Sequence, residues 1–229
     1  VQIEEDTIGA AWLAVASRIL DEGEASSYDA APILELERVT ITVARPASDD
    51  PIVAQRGDPD RLAWMHANFT DDSLVPELGD ARSYASRLYD YAAGGRDQVQ
   101  WVIDRLREDP TSRSATITTF EPLLDTTYIP CVSLLDFWIR DGFLDSIVYA
   151  HSIDFGAKGY GNLVELAYLM ERIAEGLSLP VGRLDFVVKS AHIYEPDFAE
   201  MRDTTGPQTT GAGASDQPAP RRRRAGLAR

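Results

Sequence analysis

The sequence predicts a single α+β domain, and three observations carry that prediction. A chain of 229 residues with 44% apolar content can enclose one sizeable core. Residues 98–108 and 162–177 repeat apolar side chains every three or four positions, as amphipathic helices do. Residues 33–44, 115–120, 132–139, 143–153 and 183–194 carry short or alternating apolar runs, the pattern of strands.

Each element follows from its own residues. An opening helix is expected over 9–20, where Trp12, Val15, Ala16 and Ile19 share a face. Residues 21–27 read as a polar, acidic turn. Alternating Val39, Ile41 and Val43 mark a half-buried strand over 33–44. Pro, Gly and Asp punctuate 46–60, which reads as loop, before a short helix over 61–69 and an irregular stretch to residue 80. The helix over 98–108 aligns Val99, Val102, Ile103 and Leu106. The strand after Cys131 carries Leu134, Leu135 and Phe137, and Asp141-Gly142 turns it back into 143–153. Leu163, Leu166, Leu169, Met170, Ile173 and Leu177 line the strongest helix, and 183–194 is the final strand. From Thr204 the composition shifts to Gly, Ala, Ser, Pro and Thr and ends in an Arg run, which cannot bury enough apolar surface to fold. The expected organisation is a catalytic domain over 1–203 and a disordered Arg-rich tail over 204–229.

A net charge of −15 argues against a nucleic-acid surface, because neutralising phosphates needs clustered Lys and Arg. One cysteine excludes an internal disulfide and a cysteine-based metal site, and no metal is expected. No apolar run is long enough to span a membrane, and Glu4, Glu5 and Asp6 do not open a signal peptide. The expected location is the cytoplasm.

Candidate chemistry begins at Cys131, in Tyr128-Ile-Pro-Cys-Val132. Proline interrupts regular pairing, so the cysteine starts a strand beside a loop. A lone cysteine is ordinarily a small buried hydrophobe. His192 at a strand end is ordinarily a satisfied structural residue. Asn162 reads first as a helix N-cap, and Ser152 and Asp154 as turn residues. The glycines of 156–161 are not followed by Gly-Lys-Ser/Thr and form no phosphate loop.

In order along the chain, these residues make a pattern. Pro130-Cys131 precedes a hairpin closed by Asp141-Gly142; Tyr149, Ser152 and Asp154 follow, then Asn162, then His192 and Tyr194. Upstream stand Ser83-Tyr84 and Asp109-Pro-Thr-Ser-Arg113. This succession resembles the catalytic half of the thymidylate synthases, firmly over about residues 80–200. The resemblance implies a three-layer arrangement on a six-stranded mixed sheet and a homodimer in which Arg113 reaches into the partner's site. It implies further that Asn162 reads the pyrimidine edge, Asp154 supports the site network, and His192 and Tyr194 hold the sugar 3′-hydroxyl. Ser152 and His151 stand at the substrate's phosphate end.

The implied chemistry is one-carbon transfer to C5 of a pyrimidine nucleotide from 5,10-methylenetetrahydrofolate. C5 is a weak nucleophile until a thiolate adds at C6, which is the task of Cys131. The thiol then needs a lowered pKa from a nearby cation or donor. Tyr84, with ordered water, is the candidate base for the C5 proton.

Several positions depart from the family pattern. Val132 stands where a His normally follows the nucleophile. His151 and Ser114 occupy positions of phosphate arginines, and the early Arg-bearing loop maps onto the acidic segment 21–27. Arg18, Arg87 and Lys158 are candidates to substitute. Residues 65–80 hold no tryptophan for hydride transfer, Trp64 matches a structural tryptophan, and Arg61 stands at the catalytic glutamate. The resemblance stops near Met201, before the segment that closes over the site and excludes water. These departures are similar to the hydroxymethylases that modify CMP or dCMP for phage DNA or nucleoside antibiotics, in which water rather than hydride completes the reaction. Asn162 does not settle the base, since its amide can flip; some deoxycytidylate enzymes carry Asp there. Methylation of dUMP and a non-catalytic nucleotide-binding role are the alternatives.

Overall fold

The computed structural model describes residues 1–28, 30–126 and 128–206. Strand β1 (Gln2–Glu5) leads into helix α1 (Ile8–Glu22), whose N-terminus is capped by Thr7, its Oγ1 accepting the Ala10 N–H at 3.3 Å. Strands β2 (Glu24–Tyr28) and β3 (Ala31–Val43) follow, then short helix α2 (Pro51–Arg56) and helix α3 (Pro59–Thr70). A small hairpin, β4 (Leu74–Val75) with β5 (Ala81–Arg82), precedes α4 (Tyr84–Tyr89) and α5 (Gln98–Glu108). Strands β6 (Ala115–Thr118), β7 (Val132–Arg140) and β8 (Phe143–Asp154) come next. Helix α6 (Gly159–Leu177), strand β9 (Val181–Tyr194) and helix α7 (Phe198–Thr205) complete the described chain.

The main sheet has seven strands. Six run in the order β1-β3-β9-β8-β7-β6, and β2 pairs with the other half of β3. It is mixed: β1–β3 and β8–β9 are parallel, and the remaining pairs are antiparallel. Helices α1, α5 and α6 pack on one face, while α2 and α7 lie against α1 and α3 lies against α6. Sheet, inner helices and outer helices are the expected three layers. The core between them includes Trp12, Ile19, Phe137, Phe155, Leu166 and Phe186, all essentially without solvent contact. Each such side chain contributes about 1.5–3 kcal/mol through burial.

The opposite face of the sheet has no covering layer among the described residues. Leu134, Ile147 and Tyr149 are 44, 41 and 40% exposed there.

One irregularity crosses the sheet and sets the level of the site. In β9 the buried positions are Leu184, Phe186 and Val188, then Ala191 and Ile193, so the alternation changes phase between Val188 and Ala191. Strand β3 changes phase around Arg38, which is left-handed at φ 55°, and β8 changes between Ala150 and Ile153. The β7–β8 register slips between Val132 and Leu134. A bulge exchanges the two faces of a strand, so these aligned breaks bring polar side chains to the core-side edge.

The structure differs from the sequence reading in three segments. The acidic segment expected as a turn is strand β2, exposed at all five residues. An edge strand with neither face buried has no apolar alternation to betray it. Within the segment expected as loop, Asp50 and Pro51 start α2: Asp50 Oδ1 accepts the N–H groups of Ile52 and Val53 at 2.8 and 3.0 Å. The residues read as punctuation are here a cap and a first-turn proline. Finally, Asn162 does not cap α6, which begins at Gly159 with Lys158 at the cap position. Of the segment expected as a tail, α7 takes the first residues, and 207–229 lie outside the described residues.

Candidate active site

Cys131 sits one residue before β7, partly buried, where Pro130 breaks the pairing. The loop before it is pinned at both ends. Arg87, 1% exposed, donates to Asp125 through both terminal nitrogens at 2.7 and 2.8 Å and to the Thr119 carbonyl at 2.7 Å. Arg82 donates to Glu121 at 2.9 Å. Thr119 Oγ1 donates to the Val132 carbonyl, and the His151 N–H donates to the Cys131 carbonyl at 3.0 Å. The nucleophile candidate is therefore fixed by one side-chain and one backbone bond from two neighbouring segments and by a buried ion pair behind it.

Tyr84 stands against it. Its Oη accepts the Val132 N–H at 2.9 Å, its own N–H donates to Asn68 Oδ1 at 3.0 Å, and its ring stacks on Phe69 at 4.4 Å. Burial, together with Cys131 and Tyr128, holds the Tyr84 hydroxyl well above its ordinary pKa. It therefore keeps its proton, and with one lone pair engaged by Val132 that proton is free to point at a substrate or water. The Tyr128 hydroxyl bonds the thiol and is likewise raised, chiefly by burial.

Burial also pushes the Cys131 thiol up, while Lys158 and the Tyr128 hydroxyl pull it back and Asp154 opposes them. In the free protein the thiol is therefore raised, not lowered as expected, because burial outweighs Lys158 and Tyr128. A buried thiol remains mostly protonated until a bound ligand changes its surroundings.

Asp154 ends β8. Its Oδ1 accepts the N–H groups of Gly156 and Ala157 at 2.9 and 3.3 Å, yet burial pushes its pKa up to about 6. Asn162 lies one turn into α6, 4% exposed, with Nδ2 donating to the Lys158 carbonyl at 3.0 Å. That bond leaves Oδ1 as the outward acceptor. Lys158 Nζ lies 5.4 Å from the centre of the Trp64 ring.

His192 pairs across the sheet with Asp154 on one side and Glu35 on the other. Its Nδ1 is 3.4 Å from Ser152 Oγ, and its ring meets Tyr194 edge-on at 5.1 Å. Burial lowers its pKa, against the pull of Glu35, so it is neutral at pH 7. His151 is lowered as well, by burial and then by Lys189, and its Nδ1 is 3.4 Å from Ser133 Oγ.

The structure thus gathers Cys131, Tyr84, Asp154, Ser152, His151, His192 and Tyr194 around the bulged level, with Asn162 at the adjoining helix end. Arg113 is not among them. It is exposed before β6, lining a pocket with Asp136 to Arg140, at the opposite end of β7 from Cys131. Of the proposed substitute cations, Arg18 pairs with Glu22 on the outer surface of α1 and Arg87 is consumed by Asp125. Only Lys158 lies at the site. Sequence reasoning missed Tyr128, although its place three residues before the cysteine was a usable signal. It also missed Glu35, which only strand pairing brings beside His192.

A family model for thymidylate synthase matches residues 59–210. The chain belongs to the thymidylate synthase family. A Methanothermobacter thermautotrophicus protein named "Putative thymidylate synthase" is 31% identical over 216 residues, covering 88% of this chain and 96% of that protein. A Methanosarcina mazei protein of the same name is 39% identical over 118 residues, 51% of this chain and 54% of the relative. The "Deoxyuridylate hydroxymethyltransferase" of Bacillus phage SP01 is 33% identical over 108 residues, 44% of this chain and 28% of the phage protein. As a thymidylate synthase family member the chain is a one-carbon transferase acting on pyrimidine C5. Among the described residues no helix is long and apolar enough to cross a membrane, and no His, Cys, Asp and Glu cluster could hold a metal.

Proposed function

We propose that this protein hydroxymethylates C5 of a cytosine nucleotide, CMP or dCMP, through a covalent bond between Cys131 Sγ and C6 of the ring. The observation that carries the reading is the set of groups around one thiol: two protonated phenols, Tyr84 and Tyr128, with Lys158 and Asp154, and Asn162 bonded to the Lys158 carbonyl. Addition of Sγ to C6 makes C5 nucleophilic, and a water held by the Tyr84 hydroxyl, which keeps its own proton, takes the proton from C5. Asn162 Nδ2 is engaged by the Lys158 carbonyl, which leaves Oδ1 to accept from the 4-amino group of cytosine, and Val132 supplies no polar side chain after the nucleophile.

The one-carbon donor is 5,10-methylenetetrahydrofolate, which supplies carbon at the formaldehyde oxidation level. Asp154 keeps an oxygen that takes no backbone bond, and the Trp64 ring lies beside Lys158, so a carboxylate and a flat aromatic face are available to a pterin. Residues 65–80 contain no tryptophan to hold a hydride donor in line, which favours water as the final nucleophile.

The functional unit is a homodimer. The exposed Leu134, Ile147 and Tyr149 face suits a second copy, and the distance of Arg113 from its own Cys131 supports a role for it in the partner's site. Proteins of this chemistry serve nucleoside-antibiotic or phage-DNA pathways, and the antibiotic setting is the role assigned here.

Mass spectrometry tests the reading: purified protein with the folate and a mixture of CMP, dCMP, UMP, dUMP and cytidine. Gain of CH2O on a cytosine nucleotide, lost in Cys131→Ala, is the expected result. A second reading is methylation of dUMP, favoured by the names of the methanogen relatives. Gain of CH2 on dUMP would replace the first reading with it. Gain of CH2O on dUMP would keep the water step and change the base, as the phage relative's name describes for that protein.

A further inference from the structure

A cleft of about 460 Å³ opens between α2, α3 and α6, and none of the residues assigned to the active site lines it. Val53, Leu62 and Val164 form apolar walls, and Asp49 and Glu165 bring carboxylates. Asp49 is exposed, whereas Glu165 is 3% exposed. The two oxygens of Glu165 offer about four acceptor positions. Among the described residues their one partner is His66, whose Nδ1 lies 3.1 and 3.3 Å away. No Lys or Arg lines the cleft. A buried carboxylate so thinly served, in an apolar pocket without a fixed cation, suits a guanidinium. The aliphatic stem would cover the walls while the planar fork meets the carboxylate.

The chain itself carries such groups. Residues 207–229 hold Arg221, Arg222, Arg223, Arg224 and Arg229 against one acidic side chain, Asp216. The last described residues lie beside the cleft: Arg56 of α2 donates to the Thr204 carbonyl at 2.7 Å, and Val53 is one turn away on that same helix. The 15 residues from Gly206 to Arg221 reach up to about 50 Å, several times the roughly 9 Å length of α2. Attachment at this reach gives the arginines an effective concentration of about 1 mM at the cleft. A covered stem with two charge-assisted bonds corresponds to a Kd on the order of 0.1 mM, so the cleft would be about nine-tenths filled.

We infer that the arginine run 221–224 of this chain seats one side chain in the cleft between α2, α3 and α6, with its guanidinium on Glu165. His66 is half-exposed and has room to swing outward as the guanidinium takes its place. The docked run ties the chain beyond Gly206 to the domain without needing an apolar core of its own. Helix α3 also carries Trp64 and, through Asn68, holds the Tyr84 N–H, so the contact braces one wall of the active site from outside. The inference is independent of the base and the product proposed above.

Photo-crosslinking in the full chain tests the contact. p-Benzoylphenylalanine replaces Ala225, next to the run, and the peptides joined by light are mapped by mass spectrometry. Adducts are expected on residues 48–66 and 159–170. In protein mixed from unlabelled and nitrogen-15 copies, both joined peptides should bear the same label. Glu165→Gln should cut the yield about 10-fold and Asp49→Asn about 3-fold, because each removes one charge from the cleft. Changing Arg221, Arg222, Arg223 and Arg224 together to Gln leaves every described residue intact, so misfolding does not imitate its result. In that variant amide exchange over residues 51–70 should be about 10-fold faster than in the wild type at low salt. The difference should vanish in about 1 M NaCl, where the pairing is screened.

Adducts scattered over other surfaces would overturn the inference, as would cleft adducts that survive Glu165→Gln. Joined peptides with different labels would assign the cleft to a second copy's run and refute docking within one chain. No adduct together with equal exchange in the wild type and the Gln variant would also refute it. A nucleic-acid oligonucleotide retained through the arginines would then identify the run's partner instead.

Discussion

Replacing Tyr84 by Phe separates the structural work of this tyrosine from its chemical work. The ring remains, so its stacking on Phe69 at 4.4 Å and its burial are preserved. What disappears is one oxygen, the acceptor 2.9 Å from the N–H of Val132, a residue 1% exposed. An orphaned buried N–H costs about 1–3 kcal/mol, so urea unfolding should show Tyr84→Phe less stable by that amount with an unchanged slope. The same oxygen bears the proton that faces the site, and loss of a positioned acid or base lowers turnover by about 100- to 10,000-fold. Nucleotide affinity, measured without folate, should hold within about 3-fold, because no binding contact is assigned to the phenol. A variant as stable as the wild type would refute the hydrogen-bond argument. A variant with normal turnover would remove Tyr84 from the chemistry, whatever its stability.

Other outcomes follow from the same geometry. Asp125→Ala strands the buried guanidinium of Arg87 and should cost about 3–5 kcal/mol in urea unfolding, most of it recovered in Asp125→Leu with Arg87→Met. Asp154 is held at about 6, above the ordinary carboxylate value, so the folded state binds the proton more tightly than the unfolded chain. Its ionisation penalty is absent below roughly pH 4, grows as pH rises to about 6, and is constant above. Asp154→Asn should therefore be more stable than the wild type by about 2–3 kcal/mol at pH 7, with the advantage fading on acidification; a pH-independent difference would contradict this. For the proposed dimer, Arg113→Ala and Cys131→Ala proteins, each inactive alone, should regain about a quarter of wild-type activity when unfolded and refolded together, since each mixed dimer holds one intact site. No recovery would place Arg113 outside the partner's site.

Much of the fold was legible because its signals are local. Helices α5 and α6 and strands β3, β7, β8 and β9 announced themselves through apolar periods of four and two, which record only which face is buried. The failures share a cause. Strand β2 buries neither face, and α2 is a single turn and a half whose Asp50-Pro51 start has the composition of a loop. Asn162, read as a cap, sits inside its helix because the glycines before it were counted as loop, although Gly159 and Gly161 tolerate helical backbone.

The sequence by itself determined the chemistry that a linear order can encode: a Pro-preceded cysteine, the Asp141-Gly142 turn, and the spaced Ser152, Asp154, Asn162, His192 and Tyr194. Tertiary structure alone decided the environment of each. It set Tyr84 on the Val132 N–H, locked Arg87 behind the nucleophile with Asp125, and left Arg113 at the far end of β7. It also brought His66 and Glu165, far apart in the chain, together in one cleft. The physical reason is that residue type and spacing are properties of the chain, whereas desolvation, pairing and register depend on which distant strands meet.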